Sequence, residues 1–374
     1  MSALTHYRNH LTALALAYRA NVACLIWGNP GEGKSALIDA LADALGIYSE
    51  VVVASLRDPT DLNGLPVTQA DGSVRLAPPA WLTASNAQDG SLIVFDEITT
   101  APPATRAAAL RVVNERVSAD TPLNPQTRIV AIANPPEVAE DGWELGAPMS
   151  NRFFHLRGWE LPVEAFTAGL TTGVWEQAPA LDIDPRRLER ELADARSAVA
   201  GFLHGHPDLL RDLPDHPDAH QYAWPSPRTW TMCATLLGYA HAADVSDDVI
   251  ALIADGTVGP IAAPAFLQFL AALTLPSPQE LLDDPAGWDV PQRGDLTYAI
   301  LARLISHLAA ADTDRDAWKS AGDAIAHAAE TQGDVAVAVA ATWWQHAKQF
   351  GPTVMPKALT NGRFANVIRH TQTA

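Results

Sequence analysis

The stretch that most constrains the fold is GNPGEGKS, at residues 28–35. It follows an apolar run, VACLIWG, and leads into KSALIDALADALG, where apolar residues recur at helical spacing until Gly46. The pattern G-x-x-x-x-G-K-[ST] between a buried strand and a helix is typical of a phosphate-binding loop. The alternative is a tight turn that only caps a helix, and the surrounding strand and helix patterns favour the phosphate-binding interpretation.

The residue types in this loop suit the phosphates of a nucleotide. Glycines let consecutive backbone N–H groups face phosphate oxygens, and the start of the helix adds a partial positive charge. Lys34, the only lysine before Lys319, is expected to bridge the β- and γ-phosphates, and the Ser35 hydroxyl to bind Mg²⁺. ATP and Mg²⁺ are therefore the expected cofactors. The predicted nucleotide-binding residues of the loop are Gly28, Asn29, Pro30, Gly31, Glu32, Gly33, Lys34, Ser35 and Ala36.

Two adjacent carboxylates end a second apolar run, SLIVFDE, at residues 91–97. In a parallel sheet the carboxyl ends of the strands open onto the ligand crevice, so both side chains are expected near the nucleotide. Asp96 is predicted to hold Mg²⁺, and Glu97 to polarise the attacking water as a general base. The alternative is that they only cap the next helix.

Short apolar runs alternate with helical periodicity from residue 20 to about 157, which predicts a parallel sheet covered by helices on both faces. The runs are VACLIWG, SEVVVAS, SLIVFDE and TRIVAIANP. Residues 56–90 interrupt the alternation with a turn-rich segment that is too long for a simple connection, so a functional role is expected. After residue 160 only helical patterns remain.

Composition narrows the function classes. The formal charge is −18, which argues against a broad nucleic-acid-binding face, although not against a locally basic pore. Cys24 and Cys233 lie in apolar and helical patterns and are expected to be packed thiols. The histidines lack metal-site spacing and are expected in loops. No signal peptide is recognised and the apolar stretches, such as the one near residue 340, are too short to span a bilayer, so a cytoplasmic protein is expected.

Four motifs in order, GNPGEGKS, LIVFDE, IVAIANP and SNRF, resemble those of AAA+ ATPases. The chain is most similar to the MoxR-like branch, which is related to the dynein-type and chelatase proteins. DPTDLNGLP and APPAWL match the insert of that branch, and RAAALRVVNERV is similar to its phrase ALLEAMEER. One departure is that the usual Asn-Arg after the acidic pair is missing from DEITTAPPATR, where Arg106 is a possible substitute.

The resemblance implies roles for three further residues. Asn134, which ends a strand beside the one bearing Asp96, would position the lytic water or the γ-phosphate as sensor 1. Arg152, in PMSNRF, would be an arginine finger that reaches a neighbour's γ-phosphate, and Arg228, in WPSPRTW, would be sensor 2, touching the same phosphate from the lid. The alternatives are an Asn-Pro turn, a surface salt bridge and a solvated arginine, respectively.

The resemblance also implies the architecture and the function class. We expect an α/β AAA+ core with a parallel sheet at 1–158, an all-α lid at 159–285 and a helical C-terminal extension at 286–374. A finger that acts in trans implies a homo-oligomer, most simply a hexamer. The implied activity is ATP hydrolysis that remodels or activates a client, for example a von Willebrand A-domain protein. The alternatives are a nucleotide-dependent switch or scaffold and, less in keeping with the charge, a nucleic-acid motor.

Overall fold

The computed structural model describes residues 2–138, 145–310 and 313–360. It forms two compact units, one of Met1–Asp184 with Arg211–Pro264 and one of Pro185–Leu210 with Ala265–Ala374. These units have other bounds than the three domains expected from the sequence, at 1–158, 159–285 and 286–374. The three-domain division is implied by the family resemblance, and it stays a prediction.

The secondary structure begins with strands and helices in alternation and continues with helices. The strands are β1 (Cys24–Gly28), β2 (Tyr48–Val53), β3 (Leu65–Thr68), β4 (Val74–Ala77), β5 (Ser91–Asp96), β6 (Val117–Ser118), β7 (Thr121–Pro122), β8 (Arg128–Ala133) and β9 (Phe154–Trp159). The α-helices are α1 (Ala3–Arg19), α2 (Lys34–Leu45), α3 (Pro59–Asn63), α4 (Ala80–Asn86), α5 (Pro103–Glu115), α6 (Ala147–Ser150), α7 (Val163–Thr172), α8 (Pro185–Gly205), α9 (Pro227–Ala242), α10 (Asp247–Ala272), α11 (Pro278–Asp283), α12 (Gly294–Ala310), α13 (Arg315–Ala328) and α14 (Gly333–Ala347).

The first unit is built on a five-stranded sheet with the order β2-β5-β8-β1-β9. Every pair of neighbours in it is parallel, which confirms the predicted α/β class. Four of the strands are the apolar runs recognised in the sequence, and β9 was not singled out there. Its polar residues His155 and Arg157 interrupt the apolar pattern, although His155 is buried.

Both faces of this sheet are covered, as predicted. Alternate residues of a strand point to opposite faces, and in β1 the Cys24 and Ile26 side chains join one apolar cluster while Leu25 and Trp27 join the other. The first cluster includes residues of α1, α2 and α9. The second includes residues of α4 and α5. Burial on both sides explains why the central strands are almost continuously apolar.

The long segment between β2 and β5 has structure of its own. It contains α3, the antiparallel hairpin of β3 and β4, and α4. Asp58 and Asp61 form a reciprocal capping box at the start of α3, and the indole of Trp81 on α4 donates to the Asp61 carbonyl at 2.8 Å. The segment is therefore an ordered insert. Whether it is functional, as expected from its length, stays a prediction.

The second unit consists of helices in the described residues, in keeping with the predicted loss of strand patterns after residue 160. Its core is one apolar cluster that draws on α11 to α14. Trp343 and Trp344 are buried in that cluster, so they pack the helical core. In the same unit Arg303 of α12 forms an ion pair with Asp194 of α8, with its Nε 2.5 Å from Oδ1.

Helix α10 is long and apolar enough to cross a membrane by length and composition, unlike the stretch near residue 340. Of its most apolar window 56% is buried inside the protein. The helix is broken at Gly259, whose φ of 77° and ψ of 172° are not helical. A buried helix with such a break is weak evidence for a membrane span, and the expected cytoplasmic location stays a prediction.

The predicted packed thiols are confirmed, because Cys24 and Cys233 are both buried and neither is in a disulfide. The assignment of the histidines to loops is wrong in several places. His10 lies in α1 and His204 in α8, and His155 lies in β9. His10 and His155 are buried, whereas His204 is exposed. The helical and strand patterns did not indicate this burial, because each buried imidazole contacts at least one residue of another element. Among the described residues no group of three or more His, Cys, Asp or Glu could hold a metal ion.

Candidate active site

The loop between β1 and α2 has the backbone that its glycines allow. Gly31 and Gly33 have φ values of +84° and +69°, in the left-handed region that favours glycine. At Gly28 a Cβ would come within 3.1 Å of the Trp159 side chain, so glycine also permits close packing against β9. The Trp159 indole donates to the Glu32 carbonyl at 3.1 Å. The loop is thereby fixed between two neighbouring strands.

Lys34 is almost fully buried at the start of α2. Its Nζ donates to the carbonyls of Gly28 and Asn29, both at 2.7 Å, and to Oδ1 of Asn134 at 3.0 Å. Burial lowers the pKa of Lys34, while the charges of Asp96 and Glu32 oppose that change. The ammonium group is thus held under the loop, where a lysine can reach phosphate oxygens.

Ser35 and Asp96 meet at the carboxyl edge of the sheet, with the Ser35 hydroxyl donating to Oδ2 of Asp96 at 3.1 Å. A hydroxyl and a carboxylate are hard oxygen ligands of the kind that Mg²⁺ prefers. The pair therefore fits the Mg²⁺ site predicted from the sequence. Ser35 and Asp96 would hold the ion, which would supply positive charge against the charge that develops in phosphoryl transfer.

Glu97 follows the end of β5 with a positive φ of 55°, which is uncommon for a residue other than glycine. Its backbone N–H donates to Oδ1 of Asp96 at 2.8 Å. Its carboxylate accepts a hydrogen bond from the hydroxyl of Ser55, which lies just after β2. The backbone turn and the Ser55 contact fix the direction of the exposed carboxylate, the candidate general base.

The cavity beside the loop is lined by aromatic side chains. It has a volume of about 150 Å³, and the loop residues Gly31, Glu32 and Gly33 line one side. Its other lining residues include Tyr7, Trp159, Phe166 and Trp175. Flat apolar walls next to a phosphate-binding loop suit a purine base. The rim carries an ion pair between Arg8 and Glu176.

Arg152 and Arg228 lie at the opposite edge of the sheet. Arg152 comes two residues before β9, and both arginines line a cavity of about 600 Å³ with Asn21 and Val22, which precede β1. Because β1 and β9 are parallel, this is the amino edge, whereas the phosphate loop follows the carboxyl end of β1. Five residues of strand separate the two edges by about 17 Å.

A short hydrogen-bonded link brings these two arginines together. Ser226 caps α9 and precedes Arg228 by two residues. Its hydroxyl donates to Oδ1 of Asn151, the residue before Arg152, at 3.0 Å. Burial lowers the pKa of Arg152, and the charge of Arg228 lowers it further. Among the described residues no carboxylate forms an ion pair with either arginine. The arrangement is suited to binding an anion.

The structure thus divides the residues proposed from the sequence into two groups. Lys34, Ser35, Asp96, Glu97 and Asn134 come together at the carboxyl edge, and Arg152 and Arg228 at the amino edge. Arg106, the possible substitute, lies half-buried in the first turn of α5, where burial lowers its pKa, and its role stays a prediction.

Sequence reasoning missed two contacts, those of Ser55 with Glu97 and of Asn114 with Arg152. Each joins residues about forty positions apart. A Ser after a strand and an Asn at the end of a helix are common, so no local pattern marked either residue.

A parallel sheet with a glycine-rich loop, a buried lysine and a Ser–Asp pair at its carboxyl edge defines the class of P-loop nucleotide-binding proteins. Comparison with known proteins narrows this class. Residues 23–153 match the family model of the AAA domain (dynein-related subfamily). Protein MoxR of Methylorubrum extorquens is 34% identical over 159 residues, which cover 41% of this chain and 45% of MoxR.

A solved structure described as a "putative ATPase", from Cytophaga hutchinsonii, has a TM-score of 0.43 and 15% identity, and the match covers 71% of this chain and 89% of that one. The chain spans about half the length of the curated relative it matches. On the family model, residues 23–153 carry an AAA domain of the dynein-related subfamily, and the chain is similar to protein MoxR.

Proposed function

We propose that the protein hydrolyses ATP in a homo-oligomeric ring, most simply a hexamer, and uses the energy to remodel or activate a partner protein. The observation that carries this proposal is the separation of the two groups of side chains. One edge of the sheet has the loop, Lys34 and the acidic pair. The other has the two arginines, with which no carboxylate of the described ranges forms an ion pair. A complete site then needs two copies of the chain.

The residues of the carboxyl edge have separate tasks in this proposal. The loop N–H groups and Lys34 bind the β- and γ-phosphates, and Ser35 and Asp96 hold Mg²⁺. Glu97, oriented by Ser55, accepts a proton from the attacking water. Asn134, already within reach of the Lys34 ammonium, orients that water or the γ-phosphate.

The residues of the amino edge complete the site of the next copy. The Arg152 guanidinium would stabilise the charge that develops on the γ-phosphate, an effect of about 10³–10⁵ in rate in phosphoryl-transfer enzymes. Arg228, in the same cavity, would contact the same phosphate. Since about 17 Å of sheet separates the cavity from the loop of its own chain, we place this contact between copies.

The proposal also includes a partner protein on which the ring acts and a cellular location. The resemblance to MoxR-like proteins supports a protein client, for which a protein with a von Willebrand A domain is the first choice. The net charge of −18 favours a protein over a nucleic acid as the partner. We place the protein in the cytoplasm.

Mass photometry of the Glu97→Gln variant with and without ATP–Mg²⁺ tests the proposal. Because the amide of this variant cannot accept the proton of the water, ATP should persist and hold a ring of about six subunits. The variant should bind ATP normally and lose at least about 100-fold in turnover. A monomer under both conditions would exclude the ring and leave a nucleotide switch as the better interpretation.

A further inference from the structure

The Arg152 guanidinium is held by two neutral oxygen acceptors. Its Nε donates to Oδ1 of Asn114 at 3.0 Å, and its Nη1 donates to the Pro148 carbonyl. These contacts fix two sides of the planar group and leave further N–H donors on Nη1 and Nη2 for another acceptor. Arg152 is therefore oriented by its own chain.

The nearest carboxylate in the sequence is directed elsewhere. Glu115 follows Asn114 in the last turn of α5, and its Oε2 lies 3.1 Å from Nε of Arg111. Asn114 itself lines the cavity that contains Arg152 and Arg228, and no Asp or Glu is among the lining residues. The chain thus places an amide where a carboxylate would pair with Arg152.

The chemistry of an amide explains why Asn114 suits the position beside Arg152. An amide oxygen accepts a hydrogen bond and fixes the guanidinium, but it carries no charge to neutralise it. A carboxylate at the same position would form a charge-assisted bond of about twice the strength. It would also compete with any anion for the arginine. Orientation without neutralisation suits an arginine that must bind a phosphate brought by another molecule.

We propose that Asn114 is a positioning residue, which orients the Arg152 guanidinium toward the terminal phosphate bound by the neighbouring copy while leaving its charge available. This inference rests on the proposed function, because it requires that Arg152 acts in trans. The last turn of α5 would then orient the arginine, a task separate from those of the phosphate loop and the acidic pair.

The experiment mixes two variants that are each expected to be inactive. Lys34→Ala cannot bind the phosphates but keeps its arginine, and Arg152→Ala binds ATP but has no arginine to offer. In an equimolar mixture the interfaces that pair an intact loop with an intact arginine should hydrolyse ATP. Random mixing makes about one quarter of the interfaces of this kind, so up to about a quarter of the normal rate should return.

Asn114→Asp is then added to either partner in turn. On the Lys34→Ala chain, which supplies the arginine, it should lower the recovered kcat about tenfold, because the new carboxylate pairs with Arg152. On the Arg152→Ala chain, which has no arginine to orient, it should have no effect. Asn114→Ala on the first chain should also lower the rate, through loss of orientation alone.

A matched control separates this effect from the added charge. Gln126→Glu makes the same amide-to-carboxylate change near another arginine, Arg128, whose Nη2 lies 3.5 Å from Oε1 of Gln126. Placed on the Lys34→Ala chain, it should leave the recovered rate unchanged. The KM for ATP should stay the same in every active mixture, since the loop belongs to the other chain.

The outcomes that contradict the two proposals are different. If the simple mixture recovers no activity, the arrangement in trans fails, and the role of Asn114 fails with it. If the mixture is active but Asn114→Asp on the arginine-supplying chain has no effect, only the positioning role is overturned. Equal losses with Asn114→Asp on either chain would indicate a structural role and would also overturn it.

Discussion

His155 makes the stability of the first unit depend on pH in a way that can be calculated. It is buried in β9 next to the strand that leads into the phosphate loop. Its Nδ1 accepts a hydrogen bond from the Trp27 indole at 3.0 Å, and its Nε2 lies 2.9 Å from the Ser150 carbonyl. A carbonyl only accepts, so Nε2 carries the hydrogen and the imidazole is neutral. Protonation of Nδ1 would break the bond to Trp27.

Burial lowers the pKa of His155 from 6.5 to about 4. Between these values the unfolded chain binds more protons than the folded one, so the free energy of unfolding falls as the pH falls. The contribution of His155 is complete above pH 6.5 and is lost as the pH falls toward 4. For these two pKa values, lowering the pH from about 7.5 to about 5.5 removes about 1.4 kcal/mol.

The assay compares the wild type with His155→Gln, whose amide can replace both hydrogen bonds but does not titrate. Urea unfolding of both proteins at about pH 7.5 and at about pH 5.5 gives the difference in unfolding free energy at each pH. This difference should change by about 1.4 kcal/mol in favour of the variant at the lower pH. Carboxylates and the other histidines titrate in both proteins and cancel. A difference that stays constant would refute the argument that burial keeps His155 neutral.

Three further predictions concern the loop, the acidic pair and the second unit. Gly33→Ala should weaken ATP binding measured by calorimetry. A Cβ at a φ of +69° costs about 1–2 kcal/mol of backbone strain, although the nearest atom would be 3.8 Å away. Unchanged affinity would contradict this prediction. Ser55→Ala should lower kcat and leave the ATP affinity unchanged, because it frees the Glu97 carboxylate and does not touch the loop; an equal loss of affinity would indicate a role in binding. Trp343→Ala should destabilise the second unit by about 3–5 kcal/mol in urea unfolding, since the indole is buried and also donates to the Trp318 carbonyl at 2.9 Å. A loss below about 1 kcal/mol would show that neighbouring side chains fill the cavity left by the indole.

The sequence predicted which side chains meet at the carboxyl edge of the sheet, because a single physical rule connects their positions. Asp96 ends one strand and Asn134 follows another, and parallel strands bring such positions to one edge. The structure places the Asn134 side chain on Lys34 and the Asp96 side chain on Ser35. Motif spacing and strand direction were sufficient here.

The rest depends on contacts that no local pattern encodes. The fifth strand, β9, was missed because His155 and Arg157 break its apolar run. His155 is tolerated in the core because Trp27 and Ser150 satisfy its ring nitrogens, and both partners belong to other elements. The same holds for Asn114, whose partner Arg152 lies 38 positions away. The role of a polar residue in a strand or at a helix end depends on its tertiary contacts, which the local sequence pattern does not give.

The charges at the two edges of the sheet also bear on how copies of the chain can assemble. The amino edge concentrates Arg152 and Arg228 in one cavity, and the carboxyl edge carries Asp96 and Glu97 beside the loop. A two-fold contact through the cavity would set one arginine pair against another, and like charges at close range repel. A head-to-tail contact instead sets the arginines of one copy against the acidic edge and the bound phosphates of the next. Contacts of that kind are heterologous and generate rings when the rotation closes, so the charge distribution is consistent with the proposed ring and opposes a two-fold dimer through this cavity.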